Sequence, residues 1–513
     1  VLDSQFHLIA LASEASVDNR KRKKCVAEVD EMNKSQPIFI GIDIGTQGIR
    51  TIAIGYNGTI YAASTVTFNL AKGNELRMEQ SPFMWWQHTA ESIRQVANSL
   101  KEQKILNQVV SLSVTSTSGT VIPLDKQYEP LYNALMYSDS RSESEAALCR
   151  EAAFAAGHYT AFSSSYGLPK IVWFHKHFPQ IAKDVCLWAH PTDYIIGKLT
   201  GKWGITDYTS AFKSGYDLNN EKWPEYIEKT LKIPVKSLPI VLPSGTFAGN
   251  VSKECMEETG LPENVSVTLG LTDGCASQFA SGSLSPGNWN TTIGTTLVIK
   301  GITYEPIIDE KGILYNHRHP DGYWMPGGAS NTGGDWISID YSKDELAYLN
   351  SKAYEYFPSR WISYPLRQKG ERFPFAFPDI QGFDEPGLTK EQLFISRLEG
   401  VAYLERMAYE MIEKLSSEKV RAVFTAGGGS SSDVWLTIRS NVLKKPIIKM
   451  KHSDGAIGAA IVAAASYFGS IQEAGENMLK REKEVMFEEH ISEQYEEGYE
   501  RFIQALKKRG VVL

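Results

Sequence analysis

Ile38-Phe39-Ile40-Gly41-Ile42-Asp43-Ile44-Gly45-Thr46-Gln47-Gly48-Ile49-Arg50 is a β-branched apolar run that ends in a carboxylate and a glycine-threonine turn. It predicts a buried strand over 38–44, closed by Gly45. A second strand follows over 50–55, and Asn57-Gly58 carries the signal of a tight turn into a third over 59–66. A carboxylate at the end of a buried strand suits a hydrated Mg2+, and the turn's N–H groups and hydroxyl suit phosphate oxygens. An ordinary β-hairpin with glycine for positive φ reads the same way, so the segment is informative only in company.

The company is present. A strand over 289–293, the turn Gly294-Thr295-Thr296 and a strand over 297–302 repeat the opening in altered form. Two such hairpins, one per half, can clasp a triphosphate from both sides. Ala426-Gly427-Gly428-Gly429 lies between a strand over 422–425 and a helix starting near Asp433. Consecutive glycines there let a flat ring or a phosphate approach the backbone, and the helix N-terminus adds partial positive charge. A strand over 265–271 runs into Asp273, a second carboxylate, about where the halves meet. Phosphorylating a hydroxyl requires a placed carboxylate to accept its proton; the same Asp can cap the helix that follows. Cys275 reads as a small core residue, because no base stands beside it in sequence. Trp85-Trp86, on a helix over 82–100 capped by Ser81, read as core packing. The small residues of 281–287 have linker chemistry and divide the chain.

The 513 residues are 42% hydrophobic and 22% charged, which is globular composition and excludes disordered and fibrous classes. With 53 basic against 60 acidic residues the net charge is −7, leaving no electrostatic footprint for nucleic acid. No apolar run reaches the roughly 20 residues that span a bilayer. Five cysteines without a CxxC pair point to reduced thiols and a cytoplasmic setting. No Walker A lysine loop or HExxH signature is present. Residues 1–35, with five positive charges from Arg20 to Lys24, read as a solvated, disordered extension; 36–283 and 284–513 read as the two domains.

Taken in order, these segments resemble the FGGY family of carbohydrate kinases, ATPases of the actin, hexokinase and Hsp70 superfamily, from about Ile38 to Phe468. Gly41 to Arg50 resembles the first phosphate loop, Gly294-Thr295-Thr296 the second, and Gly427-Gly428-Gly429 the adenosine loop. Asp454-Gly455-Ala456-Ile457-Gly458-Ala459-Ala460 resembles the family's closing helix. Met136 to Arg141, Pro169 to Phe174 and Thr206-Asp207-Tyr208 are also similar to family segments. Gly167 departs from the Pro, Ser or Thr of the family's first signature, and Asn441 stands where many members have Asp.

The resemblance implies an α/β fold with two ribonuclease-H-like domains flanking a catalytic cleft where ATP, Mg2+ and a sugar meet. It implies that Asp43 holds the metal near the reactive hydroxyl and that Asp273 is the general base. Gly45, Thr46, Gln47, Gly294, Thr295, Thr296, Gly427, Gly428 and Gly429 would bind the nucleotide. The loop Thr115-Ser116-Thr117-Ser118-Gly119-Thr120 lacks the Gln-Met-His of xylulose kinases and the Asn-Gln-Arg-Glu of glycerol kinases. It is similar to the D-ribulose kinase branch, as are 322–331 and 369–374. By that resemblance Ser118, Asp273 and Asp43 contact the ketose. Glu79-Gln80-Ser81-Pro82 with Trp85-Trp86 points instead to xylulose kinases. The expected reaction is ATP-dependent phosphorylation of a terminal ketose hydroxyl, D-ribulose before D-xylulose and both before a polyol. The expected partners are the sugar and ATP, with no nucleic acid and no membrane; the oligomeric state stays open, a homodimer included. A non-catalytic sensor and an actin-like assembling ATPase are the rival readings. Tyr495, Tyr499 and Phe502, at helical spacing, read as a docking stripe onto the second domain.

Overall fold

The computed structural model describes residues 36–68 and 76–512, so the extension read over 1–35 lies outside the described residues. Strands β1 (Ile38–Ile44), β2 (Gly48–Gly55) and β3 (Ile60–Thr67) form an antiparallel meander. Strand β4 (Val109–Ser116) runs parallel to β1, while β5 (Phe247–Asn250) is an antiparallel edge on β6 (Ser266–Thr272), itself parallel to β4. The order is β5-β6-β4-β1-β2-β3.

The second half repeats this plan. β7 (Asn288–Ile293) and β8 (Leu297–Gly301) are antiparallel; β9 (Tyr315–Arg318) edges β10 (Trp324–Ala329), which pairs with β8. β11 (Ala422–Ala426) and β12 (Ile447–Met450) continue in parallel from β7, and β13 (Arg481–Val485) closes the far edge. Each sheet is a meander whose first strand is extended by parallel strands, the duplicated ribonuclease-H-like arrangement expected above.

Helix α1 (Pro82–Glu102) buries Trp85 and Trp86 in the first core, as read from the sequence. Helices α2 (Asp273–Ala280) and α3 (Lys390–Ser416) follow β6 and precede β11. Next come α4 (Asp433–Leu443), α5 (Gly455–Phe468) and α6 (Glu489–Lys507). On α6, Tyr495, Tyr499 and Phe502 pack around Tyr403 of α3 at ring separations of 6.1, 6.0 and 5.6 Å, so the stripe is a docking face. Asn441 of α4 accepts hydrogen bonds from the Glu488 N–H (2.8 Å) and the Ser492 hydroxyl (3.3 Å), and its amide donates to the Thr437 carbonyl. An Asp could not make that third bond. Gly167 has Ser214 Oγ and Val121 Cγ1 at 2.5 and 2.9 Å from any added Cβ, which leaves no room for Pro, Ser or Thr without a shift.

Helix α5 follows a strand of the second sheet but lies on the first, against β1 and β4, and against α2. Its Gly and Ala residues let main chains meet. A Cβ on Gly41 would stand 1.7 Å from the Ala456 carbonyl oxygen, and one on Gly458 would stand 2.0 Å from that of Ala276. Phe39, Ile52, Leu271, Phe279, Ile302, Ile457 and Ile461 form one core that both halves share. Residues 281–287, read above as a linker, belong to this packing. Ser281 and Ser283 are fully buried, and Leu284 fits so closely over Gly475 that a Cβ there would meet it at 2.4 Å. Small side chains are present there because space is short. Among the described residues no single helix is long and apolar enough to cross a membrane.

A methyl group at Gly41 has nowhere to go, since carbonyl and amide backbone, not a movable side chain, face it. Gly41→Ala is expected to cost about 3 kcal/mol or more of unfolding free energy, read as a lower denaturation midpoint. An unchanged midpoint would mean that the strand and helix are not in backbone contact.

Candidate active site

Parallel strands bring their carboxyl ends to one edge of a sheet, and ligands of open α/β sheets bind at that edge. Asp43 is paired in register with Thr115, and Thr115 with Leu271. Asp43, the Ser118 turn and Asp273 therefore stand side by side beyond β1, β4 and β6. In the second sheet the Gly294–Thr296 turn after β7 and the Gly427–Gly429 run after β11 share the equivalent edge. Gly427 (φ 81°) and Gly429 both press on Ile293, the residue before Gly294, while Gly428 faces open space. Asp43, the Gly45–Gln47 turn, Ser118 and Asp273 thus lie on the first edge, and Gly294–Thr296 and Gly427–Gly429 on the second.

Each hairpin is held from behind by a buried polar anchor. Gln80 donates from Nε2 to the Thr46 carbonyl (2.8 Å) and accepts from the Trp85 indole N–H (2.8 Å). The Gly45 N–H closes the turn onto the Gly48 carbonyl at 2.9 Å. In the second half the anchor is Glu371, only 4% exposed. Its carboxylate accepts from the Ser330, Thr332 and Tyr364 hydroxyls (2.8, 2.9 and 2.7 Å) and from the Asn331 and Arg372 N–H groups (2.6 and 2.9 Å). The loop so gathered holds the second hairpin: Leu297 N–H donates to the Thr332 carbonyl, and Gly334 N–H to that of Gly294. The segments 322–331 and 369–374, unrelated by spacing in the sequence, meet at this carboxylate.

Asp43 lies over the N-terminus of α5, where its Oδ2 would be 2.7 Å from a Cβ on Gly455. Burial first, then the negative charges of Asp273 and Asp454, push its carboxyl up to about 7 against the pull of Arg50. Arg50 also sits 3.9 Å from Asp454. Asp273 opens α2 and accepts from the Gly274 N–H at 2.6 Å; the Ncap position is Thr272, so Asp273 is not the cap. Burial raises its carboxyl too, opposed by Lys300, the Gly274 N–H and Lys213. Among the described residues no group of three or more His, Cys, Asp and Glu side chains is placed to hold a metal ion. Burial raises the Cys275 thiol, consistent with an inert core residue.

Ser118 is half-buried in a turn closed by the Thr117 and Thr120 hydroxyls at 3.1 Å, with Gly119 at φ 78°. Lys213, Lys300, Tyr315 and His317, missed in the sequence, complete the surroundings of Asp273. They come from three distant segments with no motif of their own, and only the fold assembles them. Lys213 Cδ passes 3.1 Å from the Cβ position of Gly119, and its ammonium lies 5.5 Å from the Tyr166 ring. His317 is buried, edge-on to Phe212 at 4.9 Å and to Tyr315 at 5.4 Å.

Glu371→Ala removes the acceptor for five donors at once. The Gly294 and Leu297 amides are expected to exchange with solvent at least about tenfold faster, while the Gly45 amide keeps its protection. Equal exchange in both proteins would remove Glu371 as the anchor.

The FGGY family of carbohydrate kinases matches this chain twice: its N-terminal domain over residues 38–280 and its C-terminal domain over 289–467. A xylulose kinase of Bacillus subtilis is 25% identical over 459 residues, covering 86% of this chain and 91% of its own. One from Staphylococcus epidermidis is 26% identical over 491 residues, 92% of this chain and 97% of its own. The crystal structure of xylulose kinase from Rhodospirillum rubrum superposes with a TM-score of 0.82 at 23% identity, covering 92% of this chain and 98% of that one. With both domains of the family matched across most of its length, the chain belongs to the FGGY family of carbohydrate kinases and is a phosphotransferase acting on a sugar.

Proposed function

We propose that the chain transfers the γ-phosphoryl group of ATP to the terminal hydroxyl of a ketopentose. The observation that carries this reading is the placement of Asp43 and Asp273 on one sheet edge, at the ends of strands separated only by β4, close enough that the Asp273 charge acts on Asp43. Asp273 is the base: it orients the sugar hydroxyl for in-line attack and accepts its proton as the oxygen–phosphorus bond forms. The Gly45–Gln47 and Gly294–Thr296 turns present N–H groups and hydroxyls to the phosphates, and Gly427–Gly429 leaves room for the adenosine. Ser118 contacts the sugar. Most of the acceleration then comes from placement and from donors fixed before the reaction starts.

The chemistry of the donors fits Mg2+. Asp43 is a carboxylate whose charge is disfavoured by two others, Asp273 and Asp454, and a divalent cation relieves that repulsion. One carboxylate, with water and phosphate oxygens for the rest, is the usual way Mg2+ is held. Bound there, Mg2+ would neutralise triphosphate charge.

Two ketopentoses fit. D-ribulose is favoured by the turn around Ser118. D-xylulose is favoured by the names of the relatives in Bacillus subtilis and Staphylococcus epidermidis, at about a quarter identity. The Glu79–Trp86 segment, similar to xylulose kinases, adds to the second reading, although its side chains also serve packing in the first half. Glu79 pairs with Arg77 and Arg141, the Trp85 indole donates to buried Gln80, and that of Trp86 to Glu258 at the surface. The four cysteines among the described residues are free, which suits a reducing cytoplasm.

Asp273→Asn should lower turnover about a thousandfold and leave nucleotide affinity, measured by calorimetry, within about twofold. Turnover at the unaltered rate would remove Asp273 from the mechanism. Asp43→Asn should instead weaken the Mg2+-dependent part of nucleotide binding; equal affinity with and without Mg2+ in the unaltered chain would remove Asp43 as its holder.

A further inference from the structure

Lys213 and Lys300 approach Asp273 from opposite halves of the molecule. Lys213 follows the short helix Tyr208–Phe212 of the first half. Lys300 lies on β8, the strand that leaves the second hairpin, and its Nζ is 2.5 Å from where a Cβ on Gly274 would be. Each side chain is half-buried: Lys213 lies over the Tyr166 ring, Lys300 near Tyr315, and both near His317. Asp273 acts electrostatically on both ammoniums, yet neither makes an ion pair or hydrogen bond among the described residues. Two unpaired ammoniums in a narrow space cost desolvation and repel each other. A third party with negative charge between them would remove both costs.

The proposed reaction supplies one. When the sugar oxygen gives its proton to Asp273, the phosphorus to which that oxygen bonds must lie beside the Asp273 carboxylate. An anion beside that carboxylate stands near both ammoniums, since Asp273 acts on Lys213 and on Lys300. We propose that Lys213 and Lys300 form an anion clamp, one lysine from each half, that binds the phosphoryl group in transfer and the phosphate of the sugar phosphate product.

This inference rests on the kinase reading and extends it to residues that no hairpin motif includes. The atoms balance simply. The sugar O–H proton passes to Asp273, the new oxygen–phosphorus bond forms, and the bond from phosphorus to the β-phosphate oxygen breaks with its electron pair leaving on ADP. Both lysines stay protonated and act only as donors to the non-bridging oxygens. Because one donor belongs to each half, occupancy also favours the closed cleft, which shields the phosphoryl group from water.

The test uses Lys300→Gln, Lys300→Arg and Lys213→Gln. D-ribulose, D-xylulose and their 5-phosphates serve as probes. Lys300→Gln should lower kcat about 100-fold and leave calorimetric affinity for the free sugar within about twofold. Lys300→Arg should recover part of that loss. Affinity for the sugar 5-phosphate should fall at least about tenfold in both Gln variants. A loss confined to free-sugar affinity, with kcat kept, would overturn the clamp and make the lysines sugar-selecting groups. A lowered melting temperature with 5-phosphate affinity unchanged would equally overturn it. If the unaltered chain turned over neither sugar, the kinase reading would fail by itself. Loss of 5-phosphate binding in the Gln variants would still support the clamp, and its retention would overturn it.

Discussion

At Gly41 the main chain of the first strand meets the main chain of helix Gly455–Phe468 at a distance that excludes even a methyl group, and Gly458 repeats the contact on helix Asp273–Ala280. Much of the rest is arranged around this three-way approach. It lays a helix that follows the second sheet onto the first, joins the two hydrophobic cores through a shared third, and fixes how the halves face each other. It also decides where charge falls. Asp43 ends the strand, Asp273 begins one helix and Asp454 precedes the other, so close packing of backbones gathers three carboxylates. Glycine and alanine in these elements thus serve the site through geometry, without touching a ligand.

Gathering like charges is unfavourable unless something answers them. The raised carboxyl of Asp43 and the unpaired ammoniums of Lys213 and Lys300 are complementary signs of a centre built to hold charged groups. The hairpins, by contrast, are built to stay still. Gln80 and Glu371 are buried and hydrogen-bonded, and they hold the Thr46 carbonyl and the loop that carries Thr332 and Gly334. Rigid donors beside an unsatisfied charge pattern are what preorganised phosphoryl transfer requires.

Much of this was legible in the sequence, for a definite reason. The β-branched run into Asp43, its echo before Gly294 and the glycine run after 422–425 are local patterns, and each lies within a dozen residues. The same locality explains the misses. Glu371 collects donors from 330–332 and 364, and Lys213 and Lys300 converge on Asp273 from separate segments, so no window contains the constellation. The stretch 281–287 lies between the two matched domains, yet Ser281 and Ser283 are buried; small polar residues mark both flexible linkers and tightly packed crossings, and only burial separates the two. Asp273 was read as a base that could also cap its helix; the structure makes Thr272 the cap.

The most direct test of the account is ADP release from Mg2+-ATP, coupled to a spectroscopic readout, against D-ribulose, D-xylulose, L-ribulose, glycerol and erythritol. The account predicts ADP release with a ketopentose, D-ribulose ahead of D-xylulose, and little above background with the polyols. Turnover of glycerol or erythritol ahead of both ketopentoses would contradict it.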